Sequence, residues 1–143
     1  MKLAIASDHG GFQLKEFLKD ELVSAGYDVN DLGTYSEDSV DYPVYGKKCA
    51  ECVASGNADG GIVCCGTGIG ISIAANKIKG IRCALCTSPE MSRLAKEHNN
   101  ANMLALGGRV LKNKEALEIT NEWLNAEFLG DRHKRRTDML DSM

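Results

Sequence analysis

No stretch of this chain is apolar for long enough to cross a bilayer, and the apolar core of its first residues, Leu3-Ala4-Ile5-Ala6, is too short for a secretion signal. Those two absences argue against a helical membrane protein and against export. The expectation is a cytoplasmic protein whose six cysteines are thiols. Positive charge is not in excess either: 17 Lys and Arg stand against 20 Asp and Glu, a formal net charge of −3. No global field therefore draws the chain to nucleic acid or to an anionic membrane surface, and any anion must be bound locally. Internal repeats, low-complexity linkers and breaks in composition are also missing. A length of 143 residues with 43% hydrophobic side chains suits one domain with its own core, residues 1–143.

Three cofactor signatures fail on inspection. Gly66-Thr67-Gly68-Ile69-Gly70-Ile71 has glycines at alternate positions, but a dinucleotide fingerprint needs one at the sixth, where Ile71 stands. The end of the next strand offers Cys86 where that motif needs an acid. A phosphate-binding P-loop requires Lys-Ser/Thr after its last glycine, and Ile71-Ser72 does not supply it. The pairs Cys49-x-x-Cys52 and Cys83-x-x-Cys86 look like halves of a zinc site. Their separation exceeds the roughly 15–20 residues of a zinc ribbon, and residues on a strand alternate in direction. Buried thiols acting as small apolar side chains account better for Cys49, Cys52, Cys64, Cys83 and Cys86. No metal and no redox cofactor is expected.

What is present is an alternation. Short apolar runs at Lys2–Ser7, Tyr27–Leu32, Ile62–Cys65, Ile81–Cys86 and Asn102–Leu106 read as strands. Between them lie stripes at helical spacing: Leu14, Phe17, Leu18 and Leu22; Tyr45, Cys49, Cys52 and Val53; Met91, Leu94, Ala95 and His98. A further stripe, Ala116, Ile119, Thr120 and Trp123, follows the last strand. Five strands alternating with helices predict a parallel sheet covered on both faces, with ligands at the carboxyl ends of the strands. Asp8, His9, Cys65 and Arg109 all fall at such ends.

The stretch Gly60 to Lys77 carries the chemistry. A buried strand breaks into alternating glycines and resumes as a helix, so the unpaired first N–H groups of that helix, with its dipole behind them, form an anion hole. Cys65 sits immediately before it, where a thiolate is favoured and usable as a base. Cys64, its neighbour, must face the other way. His98, beside Asn99 and Asn100 at a helix end, is either a satisfied core histidine or a site residue. Arg132 and Arg136, one helical turn apart in the chain's concentrated basic segment, are either a solvated face or a phosphate clamp. A thiol base, an anion hole, a histidine and arginines suit proton abstraction beside a carbonyl, the chemistry of metal-free aldose–ketose isomerisation of a sugar phosphate.

These stretches resemble a known family. Ser7-Asp8-His9-Gly10-Gly11, Asp41-Tyr42-Pro43, Cys65 through Lys77, His98-Asn99-Asn100-Ala101-Asn102 and Gly130-Asp131-Arg132-His133 with Arg136 are similar, nearly end to end, to the type B ribose-5-phosphate isomerases of the ribose/galactose isomerase family. The resemblance implies a Rossmann-like three-layer α/β/α sandwich with a five-stranded parallel sheet. It also implies a homodimer, or a dimer of dimers, with active sites shared between subunits. By position, Cys65 is the base, His98 opens the sugar ring, and Thr67 helps move a proton between the two oxygens. The N–H groups of Gly66, Thr67, Gly68, Ile69 and Gly70, with Asn99, hold the enediolate. Asp8 takes sugar hydroxyls, Tyr42 lines the pocket, and the phosphate goes to His9, Arg109, Arg132 and Arg136. Ile71 stands where one branch of the family has a glutamate base, which implies the cysteine form. Asn100, where the family commonly has Asp, leaves the sugar open. A six-carbon phosphate substrate, allose or galactose 6-phosphate, and a non-catalytic phosphate sensor are the alternatives.

Overall fold

The computed structural model describes residues 1–143. Its chain order is β1 (Lys2–Ser7), a 3₁₀ turn (His9–Gly11), α1 (Phe12–Ser24), β2 (Asp28–Asp31), α2 (Tyr42–Ala54), β3 (Gly60–Cys65), α3 (Ile69–Asn76), β4 (Cys83–Leu85), α4 (Pro89–Asn99), β5 (Met103–Gly107), α5 (Asn113–Asn125) and α6 (Arg132–Asp141). The five strands form one parallel sheet in the order β2-β1-β3-β5-β4. The expected strands are all present. The fourth is shorter than its apolar run: β4 is an edge strand pairing with β5 alone, and Ile81 closes a turn onto the carbonyl of Ile78. No helix is long and apolar enough to cross a membrane.

Alternation along the strands divides the core in two. Leu3, Ile5, Ile62, Cys64, Leu104 and Leu106 face α1, α4 and α5, against Leu14, Leu18, Ala95, Ile119 and Trp123. Ala4, Ala6, Val63, Cys65, Met103 and Ala105 face α2 and α3, against Cys49, Val53, Ile71 and Ala75. This second face is paved with small residues, so α2 approaches closely. A Cβ on Gly61 would lie 2.9 Å from Val53 Cγ2 and 3.1 Å from Cys49 Sγ. Cys83 packs in this layer and Cys86 in the other, on opposite faces of the sheet as strand geometry requires.

Capping fixes where α4 begins and ends. The Met91 N–H donates to Ser88 Oγ at 3.2 Å with Pro89 in the first turn, and Asn100 ends the helix in the left-handed region at φ 45°. One charged side chain is fully buried: Lys15, whose ammonium donates to both oxygens of Asp31 at 2.7 and 2.8 Å. Burial raises the Asp31 pKa, but the bonds from Lys15, the Gly33 N–H and Lys19 outweigh it and hold the carboxyl below its ordinary value.

Candidate active site

The carboxyl ends of β1, β3 and β5 meet at one rim. The Asp8 carboxylate, 7% exposed, accepts the Gly11 N–H at 3.0 Å and tightens the turn that starts α1. A Cβ on Gly11 would collide with the carbonyl of Cys64, so only glycine lets this turn lie on the end of β3. His9 follows. Its Nδ1 accepts the Val40 N–H at 3.1 Å, so the neutral ring carries its proton on Nε2. The Gly108 and Arg109 N–H groups donate to the carbonyls of Cys65 and Gly66 at 2.8 and 2.9 Å, strapping the end of β5 across the glycine turn. The Arg109 guanidinium lies along Gly66, where a Cβ would meet its Nη1 at 3.2 Å. His9, Gly10, Gln13, Glu37, Gly108 and Arg109 line a cleft of about 320 Å³.

The glycine turn folds around the sulfur of Cys65. Gly68 has φ +80°, and its N–H donates to Cys65 Sγ at 3.2 Å. The Ile69 N–H goes to Thr67 Oγ1 at 3.2 Å, which leaves the threonine O–H free to donate elsewhere. The N–H groups of Gly66, Thr67, Gly70 and Ile71 have no acceptor in the chain. The thiol, only 4% exposed, thus lies at the inner side of a turn whose main-chain donors at the start of a helix are largely unclaimed. The Tyr42 ring packs on Gly70, where a Cβ would come within 2.6 Å of it, and closes this side of the rim.

Four of the other cysteines are thiols shifted by burial. Burial pushes Cys49 and Cys64 well up, and raises Cys83 to about 12 and Cys86 to about 11. They stay protonated and apolar. Cys64 points into the α1 layer while Cys65 receives an N–H, as the alternation predicts.

The remaining candidates are not at this rim. A crossover helix runs antiparallel to its strands, so α4 ends near the amino ends of β4 and β5, roughly 15–20 Å from Cys65 by strand length. His98 and Asn99 lie there, and α6 carries Arg132 and Arg136 to the same end. The His98 and His133 rings stack with centroids 4.3 Å apart and planes 9° apart. The chain therefore gathers Asp8, His9, Tyr42, Cys65, Gly66, Thr67, Gly68, Ile69, Gly70 and Arg109 at one rim. It does not bring His98, Asn99, Arg132 or Arg136 to them.

Three features here escape the sequence reading. His133 is buried against His98 within a run of exposed charges, and burial, then the positive charges of His98, Arg132 and Arg136, hold its pKa below the ordinary value. Its signal was the spacing with Thr137: these are the two buried residues of α6, one turn apart. Gln13 and Glu37, hydrogen-bonded to each other across the cleft, carried no signal because the pairing joins α1 to a loop.

Comparison with known proteins places this arrangement. The family model described as Ribose/Galactose Isomerase matches residues 3–140. The chain is 44% identical over 142 residues to Ribose-5-phosphate isomerase B of Escherichia coli (strain K12), covering 99% of this chain and 95% of that one. The structure of Clostridium thermocellum ribose-5-phosphate isomerase B superposes with a TM-score of 0.98 at 54% identity, over 99% of this chain and 96% of that one. The Mycoplasma genitalium ribose-5-phosphate isomerase B, solved with bound ribulose-5-phosphate, gives 0.94 at 39% identity, over 99% and 94%. Fold and likeness together define a sugar-phosphate isomerase. The chain belongs to the ribose/galactose isomerase family, and these three relatives are all of its ribose-5-phosphate isomerase B type.

Proposed function

We propose that the chain interconverts ribose 5-phosphate and ribulose 5-phosphate through an enediolate, with Cys65 as the base and no metal in the step. The observation that carries this reading is the Cys65 sulfur, held by the Gly68 N–H, in the same turn in which the N–H groups of Gly66, Thr67, Gly70 and Ile71 have no acceptor. The thiolate takes the C2 proton of the open-chain aldose, and the electron pair of that bond moves into the C1–C2 bond while the C1 oxygen becomes anionic. Main-chain donors meet that charge where it develops. The proton on the C2 oxygen passes to the C1 oxygen with the help of Thr67, and the Cys65 thiol returns its proton to C1, leaving the carbonyl at C2. Asp8 and Tyr42 contact the sugar. His9 and Arg109 take the phosphate from the cleft they line.

The groups at the opposite end of the sheet enter this reading through a second copy. His98 for ring opening, Asn99 for the enediolate, and Arg132 and Arg136 for the phosphate come from a neighbouring subunit in a homodimer or a dimer of dimers. Exposed apolar side chains beside the rim support such a contact: Tyr42 at 41%, Val44 at 59%, Ile69 at 52% and Ile73 at 55%.

The test is solvent-deuterium incorporation together with a substrate panel. The wild type is expected to place deuterium at C2 of ribose 5-phosphate and to prefer five-carbon over six-carbon phosphates. Cys65→Ala is expected to lose both exchange and turnover by roughly 10³–10⁴-fold while retaining sugar-phosphate binding. Binding without exchange in the wild type would indicate a sensor. Exchange surviving in Cys65→Ala would remove the base.

A further inference from the structure

We propose that Arg82 is a positioning residue, the clasp that sets the end of α4 and the whole of α6 in register, and so places His98 and Asn99 relative to Arg132 and Arg136. The proposal rests on the preceding reading of those four residues as half of a shared site.

Arg82 immediately precedes the edge strand β4. Its main chain is fixed first: its N–H donates to Asn102 Oδ1 at 2.8 Å, and its carbonyl accepts the N–H groups of Asn102 and Met103 at 3.1 and 3.3 Å. The side chain then spans two helices. Its Nε–H is shared between the carbonyls of Asn99 and Asn100, 3.1 Å each, at the helix end where acceptors lack intrahelical donors and the dipole is negative. Its Nη1 donates to Asp141 Oδ1 at 2.7 Å, on the last residue of α6. No other ion pair joins α6 to the rest of the chain; the remaining one on this helix is internal, Lys134 to Asp138.

The clasp matters because α6 has little else to hold it. The helix buries only His133 and Thr137, and no side chain caps its start. It is pinned near one end by the stack of His133 on His98 and at the other by Arg82. Two pins fix both position and direction. With the stack alone, α6 keeps its place but can swing, and Arg132 and Arg136, which bracket His133, swing with it. Lysine cannot reproduce the fork, because one ammonium does not reach the two helices in the geometry a planar guanidinium does.

The experiment compares Arg82→Met, Arg82→Lys and Asp141→Asn with His98→Asn as reference, in the full-length enzyme. Two rates are read: conversion of ribose 5-phosphate, which needs ring opening, and solvent-deuterium exchange at C1 of saturating ribulose 5-phosphate, which is acyclic and needs the Cys65 rim. Arg82→Met is expected to raise KM and to lower kcat/KM for ribose 5-phosphate by about tenfold or more while exchange stays within about threefold of wild type. Arg82→Lys should recover part of the loss, and Asp141→Asn should show a smaller rise in KM at unchanged Tm. Wild-type kinetics in Arg82→Met beside a defective His98→Asn would overturn the clasp and leave the shared site standing. Wild-type kinetics in both would remove the shared-site reading itself. If Arg82→Met fails to fold, Asp141→Asn decides: a raised KM supports the clasp, and wild-type KM reduces Arg82 to a structural residue.

Discussion

The two ends of the sheet are made of different material. At the carboxyl end the groups of the proposed site are main-chain N–H donors in the turn after Cys65, held by glycines that leave no space: a Cβ on Gly68 would lie 2.6 Å from Leu85 Cδ1 and 2.9 Å from the carbonyl carbon of Leu106. At the amino end they are side chains on the surfaces of α4 and α6, held by a ring stack and a guanidinium. The first end is rigid because moving it means moving β3 and β5. The second is more adjustable, since α6 buries only His133 and Thr137 and is pinned by one ring stack and one guanidinium. Under the proposed mechanism the proton is moved at the rigid end, the ring is opened by a group from the compliant one, and the phosphate is held by residues of both.

The sharpest way to break the rigid end is Gly68→Ala. The left-handed φ of +80° costs an alanine roughly 1–2 kcal/mol, and the contacts with backbone add an overpacking cost of about 1–3 kcal/mol. Urea unfolding should show a loss of about 2–5 kcal/mol, with turnover falling because the Gly68 N–H leaves the sulfur. A variant as stable and active as wild type would mean that the rim is less tightly built than its contacts imply.

A smaller effect sharpens the other end. In the folded chain the His133 pKa lies below its ordinary 6.5, so on acidification the unfolded chain takes up the proton first. Stability is therefore full above about pH 6.5 and falls as pH drops from there through the lowered folded value. Thermal melts at about pH 7.5 and 5.5 should show the wild type losing more Tm than His133→Gln. Equal losses would remove His133 from the acid response.

Much of this was legible before any coordinates. Apolar runs at Lys2–Ser7 and Ile62–Cys65 marked the strands, and adjacency alone sent Cys64 and Cys65 to opposite sides. The glycine turn announced itself because φ > 0 and close backbone approach leave a compositional trace. What stayed hidden depends on distance in sequence. Lys15 reads as a solvated helix residue, and only its pairing with Asp31 across α1 and β2 lets it be fully buried. Arg82 reads as one more charge beside a strand, because its three acceptors lie on Asn99, Asn100 and Asp141. The separation of His98 from Cys65 follows from the direction of a crossover helix, which residue types do not carry but topology does.

The shared site is the claim on which most else depends, and subunit mixing tests it directly. Cys65→Ala and His98→Asn, each nearly inactive alone, would be unfolded together and reassembled. If each site takes Cys65 from one subunit and His98 from the other, a hybrid dimer has one intact site and one doubly mutated. Random pairing should then restore about a quarter of wild-type activity. Activity no higher than that of the separate variants, with hybrid dimers shown to be present, would contradict the account.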